Sequence, residues 1–123
     1  LDACQQLPLV DGQRCPFGEA RITEAGDLPC RFVVHTVGPI YHSDPNPAQT
    51  LASAYSHSLS LVAEHGCRSV TFPAISCGVY GYPHLEAAQI GLDTCRQWPQ
   101  LEVHFALVEQ NVFNVFRSVL TNG

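Results

Sequence analysis

Three short segments, residues 31–38, 69–74 and 101–108, are rich in β-branched and aromatic residues and almost continuously apolar, and stretches with helical periodicity separate and follow them. Runs of that character suit strands buried on both faces, as in parallel sheets covered by helices. Between the first two, residues 49–65 place Leu51, Tyr55, Leu59 and Val62 at helical spacing, with Pro47 near the start and Gly66 just past the end. The spacing predicts a second helix over 84–97, bracketed by Pro83 and Pro99, with Leu85, Ala88, Leu92 and Cys95 as its inner stripe. A third is predicted from Asn111, a suitable N-cap, with Val112, Val115, Phe116 and Val119 facing inward. Strand and helix in alternation imply right-handed crossovers and an α/β fold, a mostly parallel sheet flanked by helices. A short strand at 20–23 and a Gly26-Asp27 turn precede it, and Tyr41, Trp98 and Phe113 read as packing aromatics.

At 123 residues and 46% hydrophobic content the chain is expected to form a single domain. Three strands make a thin sheet, and the sequence contains no methionine, so Leu1 is expected to be an internal point of a longer polypeptide. Residues 1–7 read as the tail of a helix halted by Pro8. Sheet edges left without neighbours favour self-association. No run approaches a membrane span and no secretory signal is present, so a soluble, cytoplasmic protein is expected.

Charge narrows the chemistry. The net charge is −5, and all six basic residues are arginines, at 14, 21, 31, 68, 96 and 117, scattered along the chain. Duplex nucleic acid is therefore an unfavourable partner. With no lysine, a bound anion must be held by backbone amides, helix ends or arginine. Six cysteines without a C-x-x-C pair point to reduced thiols and to no metal site, and no cofactor is expected.

Ligands of open α/β sheets bind beyond the carboxyl ends of the strands. Here those ends feed residues 38–45, 75–83 and 108–111. The middle loop reads Ser76, Cys77, Gly78, Val79, Tyr80, Gly81, Tyr82, Pro83. Two glycines let the backbone turn and approach a ligand, and a helix start follows at once, so amides beside a positive helix end form an anion site. A G-x-x-G loop alone also serves as a plain βα connection. Val79 and Tyr80 supply apolar and aromatic walls that such a connection does not need.

Residues 72–83, FPAISCGVYGYP, resemble the diphosphate-binding loop of the macro domain family. Residues 18–41, GEARITEAGDLPCRFVVHTVGPIY, are similar to a second family pattern, a Gly-x-Ala segment, a turn, and a strand ending in His-Thr-Val-Gly-Pro. The resemblance covers nearly the whole chain and implies a three-layer macro-domain-like fold, N-terminally truncated, of which residues 1–123 are the C-terminal two-thirds or so. It implies an ADP-ribose site in which amides of Ser76, Cys77, Gly78, Val79 and Tyr80 surround the diphosphate, with Gly81 completing the turn. Tyr80 packs near the distal ribose, and Val37, Gly38 and Pro39 wall the same cleft. Val108 stands where many members place an aromatic residue at the adenine end, with Glu109 after it, which implies weaker stacking. The family's adenine-side aspartate and its asparagine-containing, glycine-rich loop have no counterpart in this chain, so no catalytic residue is assigned.

Three functions follow as expectations. The first is an ADP-ribose-binding domain whose full-length parent hydrolyses ADP-ribosyl or O-acetyl-ADP-ribose esters. The second is a non-catalytic reader of ADP-ribosylated proteins, and the third an unrelated phosphate- or nucleotide-binding α/β domain. Cys77 with His35 or His84 suggests a nucleophile and base, but buried inert cysteine is the commoner outcome. His35 reads as a core histidine bonded to backbone, and His42 with Asp44 as parts of a solvated loop rather than metal ligands.

Overall fold

The computed structural model describes residues 15–24, 32–78 and 80–122. The expected helix tail at 1–7, the Gly26-Asp27 turn, Val79, Cys4 and Cys30 lie outside the described residues. In chain order the elements are β1 (Ala20–Glu24), β2 (Phe32–Thr36), α1 (Pro47–Glu64), β3 (Ser69–Phe72), α2 (His84–Cys95), β4 (Glu102–Phe105) and α3 (Gln110–Asn122).

The alternating strands and helices form an α/β fold, but its strands pair in two separate ribbons among the described residues. β3 and β4 run parallel, Ser69 opposite Glu102 and Phe72 opposite Phe105. They are joined by a crossover through α2, the connection parallel strands require. β2, expected to join them as a parallel strand, instead pairs antiparallel with β1, Ala20 opposite Thr36 and Glu24 opposite Phe32. The physical reason is length, because the link from Glu24 to Phe32 is shorter than the dozen or so residues a parallel crossover needs. Between β2 and β3 lies a groove of about 700 Å³, lined by Phe32, Val34, Val62, Val70 and Phe72 among others.

α1 is the common support, touching β1, β2, β3 and α2, while α2 in turn packs on α3. It begins where expected. Asn46 is its N-cap, accepting from the Gln49 amide at 3.5 Å, and Pro47 sits in the first turn, where a missing N–H costs nothing. Its stripe of Leu51, Tyr55, Leu59 and Val62 is buried throughout. The core continues through a file of rings: Tyr55 meets Phe72 with centroids 5.0 Å apart, and Phe105 meets Phe116 at 5.2 Å.

Of the four residues expected on the inner face of α2, Ala88, Leu92 and Cys95 are buried and Leu85 is not. Leu85 is 61% exposed, and the buried residues are Ala87, Ala88, Gly91, Leu92, Thr94 and Cys95. Small residues fill that face because α1 approaches it closely, so the stripe is weak in hydrophobicity though strong in packing. α3 starts one residue early, at Gln110, with Phe113 N–H donating to Glu109 carbonyl at 3.0 Å, so Asn111 lies inside the helix and does not cap it. Phe113, expected to pack, is 43% exposed.

Candidate functional site

The site is built where β3 and β4 end. Ala106 N–H continues the parallel ladder by donating to Phe72 carbonyl at 2.8 Å, so the loops after the two strands leave the sheet side by side. Between them is a cavity of about 190 Å³, with Pro73, Ala74, Cys77 and Gly78 on one wall and Ala106, Leu107, Val108 and Glu109 on the other. Val108 is almost wholly exposed at its rim.

Ser76 takes φ +65°, the left-handed region that non-glycine residues enter only when their surroundings hold them there. Those surroundings are specific. Ser76 Oγ donates to Pro39 carbonyl at 2.7 Å, Tyr82 N–H to Ser76 carbonyl at 2.9 Å, and Tyr41 N–H to Tyr80 carbonyl at 2.9 Å. Gly38 is buried directly behind the turn, where a Cβ would overlap Ile75 Cγ2 and Ser76 Oγ. The end of the His-Thr-Val-Gly-Pro segment thus supports the loop from its rear, at the distance of backbone contact.

Besides that of Tyr82, two amides of the loop are used internally, Cys77 N–H on Ala74 carbonyl at 3.2 Å and Gly81 N–H on Gly78 carbonyl at 3.0 Å. Cys77 was expected to offer its amide to a ligand, but the turn that shapes the loop already employs it. Among the described residues, the N–H groups of Ser76, Gly78 and Tyr80 have no acceptor in the protein. Gly81 adopts φ +73°, whereas a Cβ on Gly78 would meet nothing within 4 Å. Glycine at 78 is therefore not demanded by the fold. α2 opens just beyond, at Pro83, with no side-chain cap on its amides, so the positive end of its dipole stands beside the loop.

The residues proposed for chemistry separate. Burial pushes the Cys77 thiol up to about 11, away from thiolate, and His84 directs Nε2 to the carbonyl of Cys77, 3.0 Å away, rather than to its sulfur. His35 is half-buried on β2 and bonds Thr23 Oγ1 at 2.9 Å, a side-chain partner in place of the backbone one expected, because the two-stranded ribbon leaves its cross-strand neighbours within reach. His42 is exposed, and Asp44 accepts from Asn46 N–H at 2.8 Å. No cluster of His, Cys, Asp or Glu among the described residues is arranged to hold a metal ion, and no described helix is long and apolar enough to cross a membrane.

Residues 1–91 match the Macro domain family. The chain belongs to the macro domain family. Among its relatives, a macro domain-containing protein of Vibrio parahaemolyticus is 46% identical over 98% of this chain and 72% of its own length. A Klebsiella pneumoniae protein named O-acetyl-ADP-ribose deacetylase is 46% identical over 99% of this chain and 73% of its own. Among solved structures, the Oceanobacillus iheyensis macrodomain with ADP superimposes with a TM-score of 0.85 at 38% identity, covering 91% of this chain. The Trypanosoma brucei macrodomain in complex with ADP-ribose gives 0.78 at 34% identity over 86% of this chain. This macro domain spans 62% of the Oceanobacillus chain and 47% of the Trypanosoma chain.

Sequence reasoning found the loop and its glycines. It did not find that Gly38 and Pro39 hold the loop from behind, although Gly38 beside Pro39 at a strand end was a signal for close backbone approach.

Proposed function

We propose that this macro domain binds ADP-ribose, seating the diphosphate on the N–H groups of Ser76, Gly78 and Tyr80, with Val79 between them. Cys77 and Gly81 shape the turn, Tyr80 borders the distal ribose, and Val108 walls the base end of the cleft. The observation that carries this reading is the front of the loop. It combines amides without acceptors, a glycine whose missing side chain faces open space, and an uncapped helix start. An anion satisfies all three at once. Relatives solved with ADP and with ADP-ribose support the choice of ligand. Isothermal calorimetry with ADP-ribose tests it: saturable binding that AMP and inorganic phosphate compete only weakly is expected, and absence of binding by the full-length protein defeats it.

On this reading residues 1–123 are part of a macro domain. The full-length protein hydrolyses ADP-ribosyl or O-acetyl-ADP-ribose esters, a step supported by the name of the Klebsiella relative. Turnover of O-acetyl-ADP-ribose by the full-length protein is the direct assay. The inert environment of Cys77 favours a binding-only role for residues 1–123 by themselves, that of a reader. Among the described residues β1 with β2 and β3 with β4 form two-stranded ribbons, which supports self-association of this stretch, read by sedimentation velocity.

A further inference from the structure

We propose that His84, the first residue of α2, is a positioning residue for the Gly78 amide, holding the peptide that joins Cys77 to Gly78 by its carbonyl. This role rests on the reading of the loop as the ADP-ribose site and gives that site a support reaching back from the helix that follows it.

A trans peptide carries its carbonyl and its N–H on opposite edges of one plane, so fixing the first fixes where the second points. Cys77 carbonyl and Gly78 N–H are the two edges of one such plane. His84 Nε2 lies 3.0 Å from that carbonyl. A carbonyl only accepts, so Nε2 carries the proton and donates it to the contact. Among the described residues, the N–H on the opposite edge has no acceptor in the protein. One edge is bound from behind, and the other is held out toward a ligand.

The preceding peptide gives the contrast. Tyr82 N–H donates to Ser76 carbonyl at 2.9 Å, and the N–H of that same unit, on Cys77, donates to Ala74 carbonyl at 3.2 Å. Both of its edges are engaged within the protein. Two donors from the far arm of the loop, the Tyr82 amide and the His84 ring, therefore take successive carbonyls, and of these two the histidine stands behind the free amide.

That amide needs a holder. Glycine admits either sign of φ, so the peptide before Gly78 turns over at little cost, and a Cβ at Gly78 would meet nothing within 4 Å. Turned over, the unit presents a carbonyl to the diphosphate in place of an N–H, and attraction becomes repulsion. Ser76 Oγ on Pro39 carbonyl and Gly81 N–H on Gly78 carbonyl restrain the peptides to either side, but neither touches the carbonyl of Cys77. The His84 ring does, and its donation also polarises the unit so that the opposite N–H becomes the stronger donor. The side chain is half-buried and folds back across seven residues, which closes the loop between strand and helix around the amide it orients.

Two substitutions in the full-length protein test this. His84→Leu removes the donor and keeps comparable bulk, whereas His84→Gln returns an N–H donor at similar reach. Leucine is expected to weaken ADP-ribose and ADP alike by about fivefold, the worth of one orienting hydrogen bond, and glutamine to recover most of that loss. Without ligand, the Cys77 carbonyl carbon and the Gly78 amide nitrogen should shift in His84→Leu and return toward their places in His84→Gln, while resonances of β1 and β2 stay put. A general loss of packing would give neither the rescue nor the confinement. In the unsubstituted protein, the ring nitrogen shifts of His84 above neutral pH should show the proton on Nε2, a measurement that needs no variant to fold. A bare Nε2 there, unaltered affinity in His84→Leu, or a loss that His84→Gln leaves uncorrected overturns the role of His84. Failure of the unsubstituted protein to bind ADP-ribose instead overturns the reading of the loop, and the role of His84 with it.

Discussion

The front and the rear of the binding loop are opposites. Behind it, Gly38 leaves no room for a methyl group, Ser76 Oγ bonds Pro39, and Tyr41 N–H bonds Tyr80 carbonyl. In front, Gly78 faces open space and the amides of Ser76, Gly78 and Tyr80 are without acceptors. The rear is completed by the protein and the front is left incomplete. One sequence stretch thus contains two kinds of glycine, one needed for the fold and one needed for something that arrives later.

Substitutions at the two glycines should separate stability from binding. Gly38→Val, which drives a branched side chain into Ile75 and Ser76, is expected to have the largest effect, destabilising by about 3 kcal/mol or more as an overpacked site with no room to relax. Urea unfolding checks it, and a wild-type midpoint would mean the rear is looser than described. Gly78→Val should leave that midpoint unchanged to within about 0.5 kcal/mol while lowering ADP-ribose affinity by roughly a hundredfold, by analogy with a blocked close approach. If stability and affinity fall together there, the front is not a distinct surface.

Smaller effects sharpen the same contrast. Val108→Tyr adds an aromatic face at the cavity rim, where the side chain is almost fully exposed, and should tighten ADP-ribose binding by about threefold to tenfold with no change in folding. Ribose 5-phosphate, which lacks the base, should gain nothing. Least of all, burial holds His35 below its ordinary pKa of 6.5. A base whose folded pKa is depressed binds fewer protons in the folded state, so its contribution is complete above the unfolded pKa and fades as pH falls through 6.5 toward the folded value. Thermal midpoints should therefore decline slightly from pH 7 to about pH 5. His35→Gln should flatten the decline without altering ADP-ribose affinity at pH 7.5.

What was legible in the sequence follows from how locally each feature is determined. The α1 stripe and the loop glycines depend on residues a turn apart, and both stand in the structure where periodicity and turn chemistry placed them. Pairing depends on what lies alongside. β2 carries the apolar run of a buried parallel strand, yet the short link to β1 makes it antiparallel. Leu85 fits the helical period of α2 and faces solvent, because the side that meets α1 is selected for small size rather than hydrophobicity. Tyr55 was read correctly as a core residue.

The separation of the two ribbons bears on the ligand site through Pro39. A two-stranded ribbon is marginal in isolation, and β1 with β2 is held to the remainder largely by α1, including a 2.8 Å contact of His57 Nδ1 with Gly18 carbonyl. The carbonyl that restrains Ser76 belongs to the strand end of that ribbon. Detachment of the ribbon would therefore release the contact of Ser76 with Pro39, and apparent affinity scales with the fraction of time the ribbon is docked. Whatever steadies β1 and β2 from outside acts, at a distance, as an activator of anion capture.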